Sequence, residues 1–553
     1  MLTFSSTKNK PPAAILTQIS LVCKRINFAL EPQILSEITL CSPMDLASRV
    51  ESLVTTEPKP TSASKYATKL SIGPLCTSSD QNEVTEEEAK IKSFLVPAIS
   101  SLVGVRQILW YVGQYDAEWA TLLVLDALAS LPVLEDLHLN VWSPPDSPVP
   151  FQRLSNLKNF TLTSDFSNHV AVISTVAGLI GRNQPELTSL TIVDDGYHAD
   201  GAPTLQDFLA ETSSSVCLRI THLKLSGIIA KFDASALRHL RSLISLTIVD
   251  IFSPYDETTE YRGADFLAQK IWSTLQSEKI YLQELVTDDA QPALVEYLTS
   301  FSGLRHLRLI STSSHFTPPW VSNQLAIRYY EQGLENHISF LESLEVRSTY
   351  EGKWCFGNHC SNLIKKGTRL TLLELSINSR DIPGGEEEIR HYAESPTRQN
   401  AIWSLLDICA TLPVLRSLTI RSAYPEYTRG DRFGSEATMH RARMRVWIAQ
   451  NLESYGPITP NHVFDVSALG TKYAGTEPLH QLKKKLSHNA SLLTGREENL
   501  VKKLCVSRRF CDSDVLSVSR IEAGAFMTSQ TLSDETHTAW YRTNIKIFQN
   551  VES

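Results

Sequence analysis

The sequence predicts an α/β repeat architecture, a parallel sheet with a layer of helices behind it. Two observations predict it. A nine-residue pattern, L-x-x-L-x-x-L-x-L, returns along most of the chain, and stretches of helical periodicity separate most of its copies. The pattern is clearest in Leu412-Pro413-Val414-Leu415-Arg416-Ser417-Leu418-Thr419-Ile420. Leu131-Pro132-Val133-Leu134-Glu135-Asp136-Leu137-His138-Leu139 nearly repeats it. The last three positions alternate apolar, polar, apolar, which is a strand with one buried face and one open face. The two earlier leucines occupy the turn into that strand and point to the same core.

Further copies follow in order. They are Leu102/Val105/Ile108/Trp110, Leu154/Leu157/Phe160/Leu162, Leu187/Leu190/Ile192, Cys217/Ile220/Leu223/Leu225 and Leu240/Leu243/Leu246/Ile248. A degraded Leu282/Leu285 comes next, then Phe301/Leu304/Leu307/Leu309, Ile338/Leu341/Leu344/Val346 and Leu370/Leu373/Leu375. Between them, Glu118 to Ser130, His169 to Gly181, Thr204 to Glu211, Gly263 to Leu275, Pro292 to Ser300 and Gln399 to Ala410 carry apolar residues at three- and four-residue steps. Strand and helix alternate, so the strands run parallel.

The pattern resembles the strand segment of leucine-rich repeats. The expected fold class is therefore α/β, an irregular leucine-rich-repeat solenoid with a parallel inner sheet and outer helices over residues 91–425. Residues 1–40 are expected to form a short helical cap and 41–90 a linker or loop, with a helix starting near Thr85. Residues 426–553 are expected to be poorly ordered or partly helical, with one helix over 436–453.

Composition narrows the function classes. Of 553 residues, 42% are hydrophobic and 20% charged, and the formal charge is −8. That balance gives no argument for nucleic acid or membrane as partner. Nine cysteines, mostly isolated, fit a reducing compartment. The most apolar stretch, Phe94 to Val112, is interrupted by Pro97, Arg106 and Gln107 and reads as a helix running into a strand. With no secretory pattern at Met1-Leu2-Thr3-Phe4-Ser5, cytoplasm or nucleus is expected.

Catalytic motifs are not found: no Walker loop, no G-x-G-x-x-G after a strand, no G-x-S-x-G and no H-E-x-x-H. Cys355, His359 and Cys360 offer at most three metal ligands, and a loop with buried thiols is the expectation there. No enzyme activity, cofactor or metal is expected.

Near the N-terminus, apolar residues at 15, 16, 19, 22, 26 and 30 follow a helical period that Pro32 is expected to break. Ile34, Leu35, Ile38 and Leu40 then lead into a strand. The run Ser20-Leu21-Val22-Cys23-Lys24-Arg25 with Pro32 beyond it resembles the second half of an F-box, without the family's opening L-P-x-E helix. Together with the repeats it is similar to fungal F-box proteins with irregular leucine-rich repeats. The resemblance implies a Skp1-like adaptor bound through Leu21, Val22, Cys23, Lys24, Ile26 and Pro32, and a protein substrate recruited by the repeats for ubiquitination. The alternative is that 13–31 form a plain amphipathic cap on a repeat scaffold with no link to ubiquitin.

In a repeat array of this kind the concave sheet face carries binding. Counting outward from each core leucine places Asp136, His138, Asn140, Lys224, His306, Arg308, Ser343, Glu345, Glu374, Ser417 and Thr419 there. Among these, His138, Lys224, His306, Arg308, Glu345 and Glu374 are the candidate partner-binding residues. The basic row His306/Arg308 beside acidic Glu345 and Glu374 is the expected centre.

Overall fold

A computed structural model describes residues 24–41, 46–54, 61–75, 86–113, 116–141, 149–166, 170–196, 203–213, 216–250, 262–312, 317–382, 400–429, 435–455 and 465–468. The chain divides into two compact units, one comprising Met1–Thr312 with Leu325–Glu345, the other Ser313–Gln324 with Val346–Ser553. Both are α/β.

In the first unit the strands are β1 (Glu37–Leu40), β2 (Lys69–Ile72), β3 (Gln107–Val112), β4 (Asp136–Val141) and β5 (Asn159–Ser164), then β6 (Ser189–Asp194), β7 (His222–Ser226), β8 (Ser245–Val249), β9 (Glu284–Thr287) and β10 (His306–Leu309). Each pairs in parallel with the next in chain order. The register aligns the repeat pattern with itself: Leu137 faces Phe160, then Leu190, Leu223, Leu246, Leu285 and Leu307. All of these are buried, while their strand neighbours stay partly exposed. Period-two alternation in the sequence has become a two-faced sheet.

The turns repeat as strictly as the strands. The carbonyl just before each strand accepts two amides from the next turn: Arg106 from Glu135 and Asp136, Glu135 from Lys158 and Asn159, Lys158 from Thr188 and Ser189. The same bifurcated bond runs on to Arg305, which takes the amides of Glu342 and Ser343 and so brings β11 (Ser343–Val346) alongside β10.

Helices Glu86–Ser101, Glu118–Ala129, Val170–Arg182, Leu205–Leu209, Ala234–Leu240, Arg262–Ser277 and Pro292–Thr299 connect the strands, close to the segments the periodicity marks. On or just beyond the elements that connect the strands, four polar side chains reach back to a buried turn amide of the preceding repeat. Asn183 Oδ1 accepts from Leu157, His239 Nδ1 from Leu218, Tyr297 Oη from Leu282 and His337 Nδ1 from Leu304. These side chains are chemically unalike but do the same work, since a buried amide left without an acceptor costs about 1–3 kcal/mol. Burial holds both histidines neutral: His239 is pushed down to about 4, with Arg238 adding to the shift, and His337 is also lowered.

The structure departs from expectation at several points. The repeats begin at residue 37 rather than 91, because β1 and β2 already pair in register with β3. The stretch expected as linker holds helices Leu46–Leu53 and Ser62–Tyr66 and strand β2. Its copy of the pattern runs Ser64/Ala67/Leu70/Ile72, all buried, with small residues where leucines usually stand. Pro32 does not break the helix, which runs Lys24–Ile34 with Pro32 inside its last turn; the ring forfeits the backbone bond to the Phe28 carbonyl, and the helix ends two residues further on. Cys217 is exposed, and Leu218 is buried in its place.

The second unit holds β12 (Leu372–Ile377), β13 (Ser417–Ser422) and β14 (Asp465–Ala468), again parallel. Helices Asn358–Ile364, Ala401–Thr411 and Ser435–Ser454 accompany them. The long last helix matches the one expected over 436–453. Strand β14 was not expected, because Val466 and Ala468 replace the larger apolar residues that face them on β13, Leu418 and Ile420. His440, buried on the last helix, places Nε2 3.0 Å from Glu351 Oε1, which also accepts the Ser379 amide at 2.8 Å.

Candidate functional site: the open face of the sheets

The candidate site is built from the strand positions that alternate with the core residues. Parallel register fixes which side chains meet, because equivalent positions of adjacent strands lie roughly 4.8 Å apart. A charge on this face is therefore judged by its neighbours on the flanking strands.

In the first unit most such charges are paired sideways. Lys69 Nζ lies 2.8 Å from Glu37 Oε1 across β1 and β2. In the turns just before β4 and β5 the same holds: Lys158 Nζ lies 2.7 Å from Glu135 Oε1, which holds that carboxyl below its usual range. His306 Nε2 stands 4.0 Å from Glu284 Oε1. Arg308 Nε stands 2.8 Å from Glu345 Oε2, the arginine side chain 38% exposed and the glutamate 16%. Of the expected basic and acidic rows, Arg308 and Glu345 are brought together in the first unit, but as partners of one another, while His306 stands beside Glu284.

His138 is half-buried between Leu109 and Thr161, and desolvation lowers its pKa, with Asp136 opposing and Lys69 reinforcing the shift. Lys224 differs from all of these. It is exposed, its strand neighbours are Thr191 and Thr247, and it makes no ion pair among the described residues.

In the second unit Glu374 is not on an open surface. Its side chain is 8% exposed, and one oxygen, Oε1, takes both Arg347 Nε at 2.6 Å and Arg421 Nε. Arg347 and Arg421 are only 15% and 18% exposed. Around them Ser376 and Thr419 are buried too, so the alternation of exposure seen on β4 to β6 is lost on β12 and β13. The carboxylate is an internal counter-ion between two guanidinium groups. Ser417 remains half-exposed.

Of the F-box-like residues, Leu21, Val22 and Cys23 lie outside the described residues. Lys24, Ile26 and Pro32 fall on the Lys24–Ile34 helix, which contacts the short Ser62–Tyr66 helix and exposes Phe28. Cys355 and Cys360 are buried thiols, raised by burial to about 12 and about 11, and His359 Nε2 lies 2.7 Å from the Lys353 carbonyl oxygen. Among the described residues no group of His, Cys, Asp or Glu could hold a metal ion, and no helix is long and apolar enough to cross a membrane.

The chain was compared with protein-family models and with curated proteins. Neither comparison gives a match.

Sequence reasoning missed the arginines around Glu374 and the pairing of Arg308 with Glu345. The signal was present in the register. Aligning Leu344 under Leu307 sets Glu345 beside Arg308, and the same alignment sets Glu284 beside His306.

Proposed function

We propose that this protein is a non-catalytic receptor that holds a protein partner on the open face of leucine-rich repeats. In this reading it serves as the substrate-recognition subunit of an SCF-type ubiquitin ligase, in cytoplasm or nucleus. One observation carries the receptor part: a nine-residue pattern repeated in register gives a broad parallel sheet whose open rows are polar, half-exposed and held by their neighbours. Such a surface suits contact with another protein. The ligase part rests on the resemblance of Ser20 to Pro32 to the second half of an F-box. Neither nucleic acid nor membrane is the proposed partner.

A second reading, a repeat scaffold without adaptor, is favoured by the contact of the Lys24–Ile34 helix with the Ser62–Tyr66 helix, which suits a cap. Affinity purification of the full chain from proteasome-inhibited cells, followed by mass spectrometry, separates the two. The ligase reading expects an adaptor and a cullin among the captured proteins, and expects both to be lost from Val22→Asp. Captured partners without adaptor or cullin overturn it in favour of the scaffold. No specific partner at all overturns both.

A further inference from the structure

The strands β7 and β8 break the electrostatic rule of the rest of the open face. Residues 216–249 contain Arg219, Lys224, Lys231, Arg238 and Arg241 against Asp233 alone, in a chain whose formal charge is −8. Asp233 is already engaged as the N-cap of the Ala234–Leu240 helix. Lys224 has threonines on both flanking strands, and His222, one position earlier on the same face, has Ser189 and Ser245. Both are exposed. Arg219 and Arg241 are exposed in the turns that lead into these two strands, and neither makes an ion pair among the described residues. At the strand ends, Asp250 accepts a hydrogen bond from Ser226.

We propose that this surface, centred on Lys224 and flanked by His222, Arg219 and Arg241, docks an acidic segment of the partner protein. The proposal rests on the receptor reading above and names the chemistry of its ligand. Its basis is complementarity. Elsewhere on this face cations stand beside glutamates of the neighbouring strand, as Lys69 does beside Glu37 and Arg308 beside Glu345. Here the neighbours are hydroxyls, which accept or donate but carry no charge. An incoming carboxylate finds a cation with hydroxyls on either side and, among the described residues, displaces no ion-pair partner. A nucleic acid fits less well, since the unopposed cations are few and these rows carry no Phe, Tyr or Trp side chain on which a base could stack.

The test uses the purified full chain and a fluorescein-labelled polyglutamate peptide. Variants are Lys224→Glu with Arg219→Glu, and Lys270→Glu as a control on the exposed side of the Arg262–Ser277 helix. Wild type and the control are expected to bind the peptide at low salt, with affinity falling as salt rises. The double variant is expected to lose at least about tenfold in affinity with an unchanged melting temperature. Equal binding by wild type and double variant, or no binding by wild type, overturns the proposal. So does tighter binding of a single-stranded DNA oligonucleotide than of polyglutamate. Mass spectrometry of captured partners separates this from the receptor reading. Partners retained by the double variant refute the acidic-segment proposal alone, and absence of partners from wild type refutes the receptor reading.

Discussion

Lys224 and Arg308 occupy the same position of the repeat, each between two core leucines on an outward strand position. Only their neighbours differ. Arg308 stands beside Glu345, and Lys224 lies between two threonines. A cation that is satisfied internally contributes little to binding and can be removed with its partner. An unopposed cation raises the local potential and selects what approaches. Glu374 completes the comparison from the other unit: the same period-two position, but enclosed by two arginines and closed to solvent. Position in the pattern sets the face, and the neighbouring strand sets what the residue can do there.

The largest expected effects are in the core. Leu307→Ala or Leu415→Ala, both fully enclosed, should cost about 2–5 kcal/mol in urea unfolding, each read on the unit that contains it. Glu374→Gln should come next, at about 2–3 kcal/mol, because it leaves two mostly buried guanidinium groups without that carboxylate. A change no larger than a surface substitution would return Glu374 to the open face.

The buried histidines give a pH-dependent effect of similar size. His239 has an ordinary value of 6.5 and is held at about 4 in the fold. Between those values the unfolded chain takes up the proton and the folded chain does not. Stability is therefore highest above 6.5, falls as pH drops through this window, and levels off below about 4. The loss should be on the order of 2–3 kcal/mol, and melting curves of His239→Gln should show a shallower slope over the same range. An equally steep slope would remove His239 as its source.

The smallest effects belong to the open face. Lys224→Ala should change stability by less than about 0.5 kcal/mol. The paired neutral change Arg308→Gln with Glu345→Gln should cost less than about 1 kcal/mol, as partly exposed ion pairs do. Arg308→Glu alone is a poor probe of binding, because it sets a second carboxylate beside Glu345.

Most strands were legible in the sequence because a two-faced strand is a one-dimensional pattern: the residues at 137 and 139 suffice to place 138. The copy at β14 escaped because it offers only Val466 and Ala468 at the positions that pair with Leu418 and Ile420. The copy at β2 escaped because Ser64 and Ala67 fill core positions without looking like leucines, and small side chains satisfy the packing there while erasing the signal. The amides held by Asn183, His239, Tyr297 and His337 were not legible either, since unlike side chains solve one geometric problem and no shared motif results. The charged rows were only half legible. The face of each residue follows from alternation, but the partner of each charge depends on the strand beside it, and irregular spacing between copies hides that until they are aligned.

The comparison between Lys224 and Arg308 supplies the most direct test of the account. Wild type, Lys224→Glu with Arg219→Glu, and Arg308→Gln with Glu345→Gln would each be used to capture partners from the same proteasome-inhibited cells, with recovery of each protein quantified by mass spectrometry. Removing the internally paired charges is expected to leave the wild-type partners in place, whereas reversing the unopposed ones is expected to deplete them. Retention by the reversed variant together with loss from the neutralised one would contradict it.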